Sequence, residues 1–446
     1  MLFKNREQII NNGETTELKK AREDILELLS AAIKSVDPYN AVISKFEKNQ
    51  IIFKNKKINL KKFNDIYLAG FGKASIEMTK AVCDSVNVKQ GIVITNDSLE
   101  SLDYKNIELI IGSHPIPDQN SLKGAEKVIN LIKKCKKDDF LIVLISGGGS
   151  ALLEKPRVSL EDLQKTTDLL LKSGANINEI NTIRKHLSYI KGGQLIKYAK
   201  CRVFSFIISD IINDPIEFIA SGPTYPDSTT FYEAEKILYK YKLTEKIPKS
   251  VIKIFEDGKK GIITETPKPN NKIFNRVQNL IVANNEIACK AAEIKAQELG
   301  YKTLFLTSSI EGEAKKIGKF LIKKVMNYME NEKIAFISGG ETTVTIEGSG
   351  RGGRNQEMVL STVELLKNRD IVFSSFATDG VDGPTDAAGA LADGFTSKKA
   401  RKQGLDILEF LENNNSYEFF ERLDSLLITD KTGTNVMDIQ IILKIR

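Results

Sequence analysis

The sequence predicts an α/β protein of two domains, on three observations. The chain has 446 residues, more than one hydrophobic core usually organises. Short apolar runs, each closed by a Gly- or Ser-rich turn, alternate with segments of helical period, which is the pattern of βαβ units and a mostly parallel sheet. The rhythm then breaks from Thr264 to Lys272, where Pro267, Pro269 and Asn270-Asn271 interrupt it. The expected domains are residues 1–265 and 266–446.

The elements follow in order. Ala21, Ile25, Leu28, Leu29, Ala32 and Ile33 recur at helical spacing, so Glu17 to Val36 is expected as an amphipathic helix closed by Asp37-Pro38. A strand pair is expected around Gln50 to Leu60. The first α/β series then has strands at Ile66 to Ala69, Gly91 to Thr95, Leu109 to Ile111, Phe140 to Ile145 and Val203 to Ile208. The second has them at Leu280 to Ala283, Thr303 to Thr307, Ile334 to Ile337, Val344 to Ile346, Ile371 to Phe376 and Met437 to Ile445.

Composition narrows the function. Hydrophobic content of 41% and charged content of 28% are globular values, so the chain is expected to fold throughout. The net charge of +7 is spread along the chain without a basic and aromatic stripe, which argues against nucleic acid and for small anionic substrates. Only 12 of the 65 basic residues are Arg, so an Arg inside a Gly-rich loop carries more information than a Lys. Cys83, Cys135, Cys201 and Cys289 are scattered and read as reduced thiols. Met1 to Lys19 has no continuous apolar core and no segment is long and apolar enough for a membrane span, so a cytoplasmic protein is expected. With only His114 and His186, acid and base chemistry is expected to rest on Asp, Lys and Arg, and neither histidine is assigned as catalytic base.

The motifs fall at strand ends, where open α/β sheets bind ligands. Gly70-Phe-Gly-Lys-Ala-Ser75 follows a strand and opens a helix, which suits either an anion held by Gly72, Lys73 and Ser75 or a tight βα turn with a surface lysine. In Ser146-Gly-Gly-Gly-Ser150, Gly147, Gly148 and Gly149 either let phosphate oxygens approach the backbone without Cβ obstruction or form only a flexible turn. Arg184 lies in the helical stretch Asn181 to His186, as an anion ligand or an outward charge. Asp210, in Ser209-Asp210, is placed to hold Mg²⁺, to accept a hydroxyl proton, or only to form an Asx turn.

Ser338-Gly-Gly-Glu-Thr-Thr343 brings Glu341 to another strand end. Gly348-Ser-Gly-Arg-Gly-Gly-Arg-Asn-Gln-Glu357 puts Arg354 and Asn355 at a helix start, beside amides suited to a phosphate. Gly348, Gly350 and Gly353 also satisfy G-x-G-x-x-G, the basis of an alternative reading as an NAD(P)-dependent hydroxypyruvate reductase. Asp379, Asp382 and Asp386 are expected either to gather a divalent cation or to form turns.

Taken in order, GFGKAS, SHPIPD, SGGGSALL, NTIRKHLS, KGGQL, SD…ASGPT, SGGETTV, GRGGRNQE, ATDGVDGPTDAAG and TGTN resemble the glycerate 2-kinase family with its C-terminal MOFRL domain, over nearly the whole chain. The resemblance implies a Rossmann-like N-terminal domain, a smaller α/β C-terminal domain with a mixed sheet, and ATP, Mg²⁺ and D-glycerate bound in a cleft between them. It implies that Lys73, Asp210 and Arg354 are catalytic and that Ser146 to Ser150 contacts phosphate. Asp210 and Asp379 are the expected metal ligands. The expected protein is a monomer or homodimer acting on a small molecule, with no nucleic-acid or membrane partner. One departure is visible: the family's S-D-V-x-G-D reads SDIIND here, with Asn213 replacing Gly. Among non-Gly residues Asn best tolerates a left-handed backbone, so the turn is expected to persist.

Overall fold

The computed structural model describes residues 2–53, 55–98, 101–328 and 332–445. Met1 of the expected polar N-terminal stretch and Lys54 of the expected strand pair lie outside the described residues. The chain forms two compact units. A parallel-sheet unit comprises Pro38–Ser209 and Asp214–Val282, and a mixed-sheet unit comprises Met1–Asp37, Asp210–Asn213 and Ala283–Arg446.

In the parallel-sheet unit the apolar runs form one six-stranded sheet, in spatial order Ile107–Ile111, Gln90–Thr95, Ile66–Phe71, Phe140–Ile145, Arg202–Ile208, Val277–Ala283. By chain order this is 3-2-1-4-5-6, and the first five strands pair in parallel. It is the Rossmann-like arrangement. Phe140–Ile145 is buried along its whole length, which is why it reads as an unbroken apolar run. The order reverses between Ile66–Phe71 and Phe140–Ile145, whose last residues Phe71 and Ile145 are register partners. In sheets of this order ligands bind beyond the carboxyl ends of the strands at such a reversal. A helical subcore of Leu163, Leu170, Ile183, Phe231, Leu238 and Phe255 supports the segment that carries Arg184. The expected strand pair is present as Gln50–Phe53 and Lys56–Asn59, within a separate three-stranded antiparallel sheet.

The mixed-sheet unit has the order Lys302–Ile310, Ile334–Gly340, Asp438–Lys444, Ile371–Ala377, Gly389–Asp393, Leu426–Leu427. Its first pair is parallel and the others antiparallel. Phe336, Phe373, Ile442, Met358, Leu360, Phe419 and Phe420 fill one core on it. Because Asp438–Lys444 runs against both neighbours, its first residue, Asp438, lies opposite Gly340 and Ala377, the last residues of the flanking strands.

Three expectations change. Leu280 to Ala283 does not open the second sheet but belongs to the last strand of the first, where Gln278 accepts from Arg202 and Asn279 from Thr224. Val344 to Ile346 is not a strand. The Thr345 amide and hydroxyl donate to the Glu313 carboxylate and the Thr345 carbonyl accepts from Asn414 Nδ2, so side chains take the place of a partner strand. The N-terminal helix, Thr16–Ser35, is where periodicity puts it, but it groups with the mixed-sheet unit and not with residues 38–265. Its Thr15 N-cap accepts from Leu18.

A buried ion pair makes that docking specific. Arg22 and Asp393 are each 1% exposed, with Nε and Nη2 at 2.8 and 2.7 Å from Oδ2, and Arg22 Nη1 donates to the Ile9 carbonyl. Tyr301 adds a hydroxyl bond to Asp24 at 2.8 Å. Removing one member leaves a buried charge without its partner, so Arg22→Ala is expected to destabilise the mixed-sheet unit by about 3–5 kcal/mol. The paired replacement Arg22→Met with Asp393→Leu should recover most of the loss, and urea denaturation of the three proteins checks both outcomes.

Candidate active site

The switch-point crevice is built from two glycine turns that touch. Gly72 has φ of +125°, and a Cβ there would lie 2.2 Å from Ser146 Oγ, so only glycine permits the approach. The turns are then joined: the Lys73 amide donates to the Gly147 carbonyl at 2.9 Å, the Ala74 amide to Ser146 Oγ at 3.1 Å, and the Ser146 amide to the Phe71 carbonyl at 3.2 Å. The amides of Gly147 and Gly148 donate to no acceptor among the described residues. Lys73 is exposed beside them and has no ion pair or hydrogen bond from its ammonium among the described residues. Two open amides and an unpaired cation are the chemistry that suits an anion.

Ser75 behaves differently from its expected role as a phosphate ligand. It is fully buried, and its hydroxyl donates to the carbonyls of Gly72 at 2.7 Å and Ile94 at 3.3 Å, so it braces the turn from behind. Ser146 is likewise buried, and its hydroxyl serves the opposite turn.

Behind the Ser146–Ser150 turn two cations converge on one carbonyl. Arg184 Nη2 and Lys191 Nζ donate to the Ser150 oxygen at 3.0 and 2.7 Å. Lys191 is 1% exposed and pairs with the equally buried Glu154 at 3.0 Å. Burial pushes its ammonium down to about 8 against the pull of Glu154. Sequence reasoning missed Lys191 and Glu154; a Lys between Ile190 and a Gly-Gly pair gave the only signal. Arg184 Nε has no partner among the described residues. The next loop is held in an unusual conformation, with Ala220, Ser221 and Gly222 all at positive φ and their segment tied to Gly192 and Gly193 through amide bonds to the Ser221 and Gly222 carbonyls.

His186 has a structural setting. It is fully buried, with Nδ1 at 2.8 Å from the Thr182 carbonyl and Nε2 at 2.9 Å from the Glu265 carboxylate, so both ring nitrogens are engaged.

In the mixed-sheet unit the expected ligands are mostly committed. Arg354 grips Asp438 with Nε and Nη2 at 2.6 and 2.9 Å and reaches the exposed Glu341 with Nη1 at 2.6 Å. Asp438 is fully buried, and burial pushes its carboxyl up to about 7 while Arg354 pulls the other way. Sequence reasoning passed over Asp438; an Asp heading an apolar strand was its signal. The helix amides beside Arg354 are not open to phosphate. Asp382, buried and with its carboxyl raised by burial, accepts from the Asn355 and Gln356 amides at 3.0 and 2.9 Å. Asn355 is buried with its side chain bonded to Asp382 and Ser375, which corrects its expected place as a phosphate ligand.

The Gly-rich loop before it is occupied from Glu347 to Arg351, while the amides of Gly352 and Gly353 donate to no acceptor among the described residues. Asn414 Oδ1 accepts from the Glu347 and Gly348 amides, Asn413 takes Ser349 and Gly350, and Asn415 Oδ1 takes Arg351. With no strand before it and the amides of Gly348 and Gly350 taken, this G-x-G-x-x-G lacks the setting of a dinucleotide fingerprint.

The three aspartates of the Asp-Gly turns do not gather. Asp382 caps the helix, the exposed Asp386 accepts from Tyr417, and the half-buried Asp379 accepts from the Val381 amide in an Asx turn. Among the described residues no cluster of three Asp, Glu, His or Cys is placed to hold a metal. Asp210 is half-buried just past Arg202–Ile208, and Asn213 has φ of +62°, so the turn persists with Asn in place of Gly.

The Glu265 carboxyl makes a prediction about acid. Burial opposes ionisation of Glu265, yet the bond from His186 and the Phe231 and Thr266 amides bring its carboxyl down to about 2. Its contribution to stability is therefore complete above its ordinary value near 4.5 and is lost as pH falls from there toward 2. Glu265→Gln should flatten that part of the acid-unfolding curve, read by circular dichroism.

The sequence of a domain of unknown function, DUF4147, matches residues 24–256, and that of the MOFRL family matches residues 334–438. The chain is 44% identical to a glycerate 2-kinase of Pyrococcus horikoshii, covering 94% of this chain and 96% of that one. It is 37% identical to a D-glycerate 2-kinase of Thermotoga maritima, covering 93% and 96%. The crystal structure of a glycerate kinase from Thermotoga maritima superimposes with a TM-score of 0.85 at 35% identity, over 96% of this chain and 100% of that one. The chain therefore belongs to the glycerate 2-kinase family with a C-terminal MOFRL domain.

Proposed function

We propose that this chain transfers a phosphoryl group from ATP to the 2-hydroxyl of D-glycerate, giving 2-phosphoglycerate. The observation that carries the reading is the crevice at the sheet's switch point, where the open amides of Gly147 and Gly148 lie beside the unpaired Lys73. Family membership supports glycerate as the acceptor, and the names of the two relatives described above support the 2-position.

Phosphoryl transfer needs little covalent chemistry from the protein, so catalysis rests on positioning and charge neutralisation. Gly147, Gly148 and Lys73 hold phosphate oxygens. Arg184 adds a second positive charge from behind the turn. Arg354, fixed by Asp438 and Glu341, presents a guanidinium whose direction does not wander. Asp210 orients the acceptor hydroxyl or serves the metal. Mg²⁺ usually takes one or two carboxylates and completes its shell with water and substrate phosphates, so Asp210 and Asp379 suit it without a three-ligand protein cage. Held by these carboxylates, Mg²⁺ would supply positive charge against the transferring phosphate. The protein acts on a small molecule in the cytoplasm, as a monomer or homodimer, without nucleic acid.

The test is incubation with D-glycerate and ATP, with the product read by phosphorus NMR. The expected product is 2-phosphoglycerate; 3-phosphoglycerate, or turnover only with hydroxypyruvate and NADH, overturns the reading. Lys73→Ala and Arg354→Ala should each lower kcat by about 10²–10³, the usual effect of removing one donor that stabilises transition-state charge. Unchanged turnover in either variant removes that residue from the assignment.

A further inference from the structure

The chain has two histidines, and the structure gives them opposite settings. His186 is sealed in the interior with both ring nitrogens engaged. His114 is half-buried in the loop after Ile107–Ile111 and stands against the middle glycine of the anion turn. A Cβ on Gly148 would fall 3.1 Å from His114 Cδ2 and 3.4 Å from Lys73 Cγ, so the imidazole and the lysine stem flank the same point of backbone. Neither ring nitrogen of His114 has a hydrogen-bond partner among the described residues.

Resting on the kinase reading, we propose that His114 is a catalytic residue that accepts the proton of the acceptor hydroxyl. The hydroxyl oxygen forms its bond to the γ-phosphorus as the bond from that phosphorus to the β,γ-bridging oxygen breaks. The hydroxyl proton passes to the free ring nitrogen of His114, ADP leaves with the bridging oxygen, and the imidazolium returns its proton to solvent.

The surroundings suit that task. The charged groups facing His114 are Lys73, from the loop after Ile66–Phe71, and Arg184, from the helix Ile177–His186. Asp118, on the same segment as His114, is committed to capping the helix Gln119–Lys134. Burial first, and then the two cations, hold the imidazole below its ordinary value, so it is neutral and able to take a proton at neutral pH. A bound triphosphate would offset Lys73 and Arg184. The histidine then becomes a stronger base only when the phosphoryl donor is in place.

With one histidine buried and the other at the site, an imidazole ¹H–¹⁵N spectrum of the full chain resolves the His114 signal from that of His186. His114 should titrate below about 6.5 in the free protein. Its midpoint should rise on saturation with a non-hydrolysable ATP analogue and, separately, with inorganic tripolyphosphate. His114→Gln should lower kcat by about 10²-fold, at the lower end of general-base effects, with nucleotide affinity retained. A midpoint that neither anion moves, or a His114→Gln enzyme with wild-type kcat, overturns the proposal. Should that variant misfold, the titration of the unmodified protein and His114→Asn decide the matter by the same outcomes. Wild-type protein that fails to phosphorylate glycerate defeats the kinase reading itself, whereas an active wild type with an equally active variant defeats only this inference.

Discussion

Gly72 has no side chain because Ser146 already occupies that space. The parallel pairing of Ile66–Phe71 with Phe140–Ile145 ends the two strands side by side, with Phe71 opposite Ile145, so the loops after them begin within van der Waals reach. A Cβ at Gly72 would drive them apart, and with them would go the bonds from Lys73 to Gly147 and from Ala74 to Ser146. Those bonds set where Lys73 leaves the backbone and turn the Gly147 and Gly148 amides away from internal acceptors. The anion site is thus a consequence of strand order and one missing methyl group.

The rest of the parallel-sheet unit can be understood as support for that contact. Three glycines in succession are costly to order, and the turn's last carbonyl is held by two cations at once. The Lys191–Glu154 pair is fully buried, where desolvation consumes much of the Coulomb gain, so its contribution lies in position more than in stability. Ala220 and Ser221 sit in left-handed backbone that costs of order 1–3 kcal/mol each, and the Gly192 and Gly193 amides hold them there. Ala220 Cβ lies close to where a side chain on Gly149 would project, so this strained loop packs on the turn itself. Strain accepted at such a place is consistent with a surface kept in one shape for a ligand.

Sequence patterning reached far in this molecule where burial is two-sided. Phe140–Ile145 was legible to the residue because every position is apolar, and the Thr16–Ser35 helix because one face is. It failed where side chains replace backbone partners. Val344 to Ile346 alternates like a strand, yet Glu313 and Asn414 satisfy its polar groups. It also failed where pairing is long-range: nothing in the run of Asn413, Asn414 and Asn415 announces that it closes a loop more than sixty residues earlier. Lys73 and the Gly147–Gly149 turn were legible because a cation or a glycine run at a strand end is a local signal. Asp438, Lys191 and Glu154 were not, since each matters through a partner that only the fold supplies.

The two Gly-rich loops of this chain have similar composition and differ in how far their amides are paired internally. In Gly348–Arg351 and at the start of the helix that follows, Asn413, Asn414, Asn415 and Asp382 accept amides and Arg354 is gripped by Asp438 and Glu341, while the Gly352 and Gly353 amides have no acceptor among the described residues. At Ser146–Ser150 the amides of Gly147 and Gly148 have no acceptor among the described residues. The count of glycines is therefore a poor guide to where an anion binds. Glycine only allows close approach, and whether the approaching group is a ligand or the protein's own side chain depends on the supply of internal acceptors. Asparagine and aspartate take up most of the mixed-sheet loop's amides and leave those of Gly352 and Gly353 beside an arginine that two carboxylates hold in place. The parallel-sheet turn has no such side-chain acceptor at Gly147 or Gly148 among the described residues.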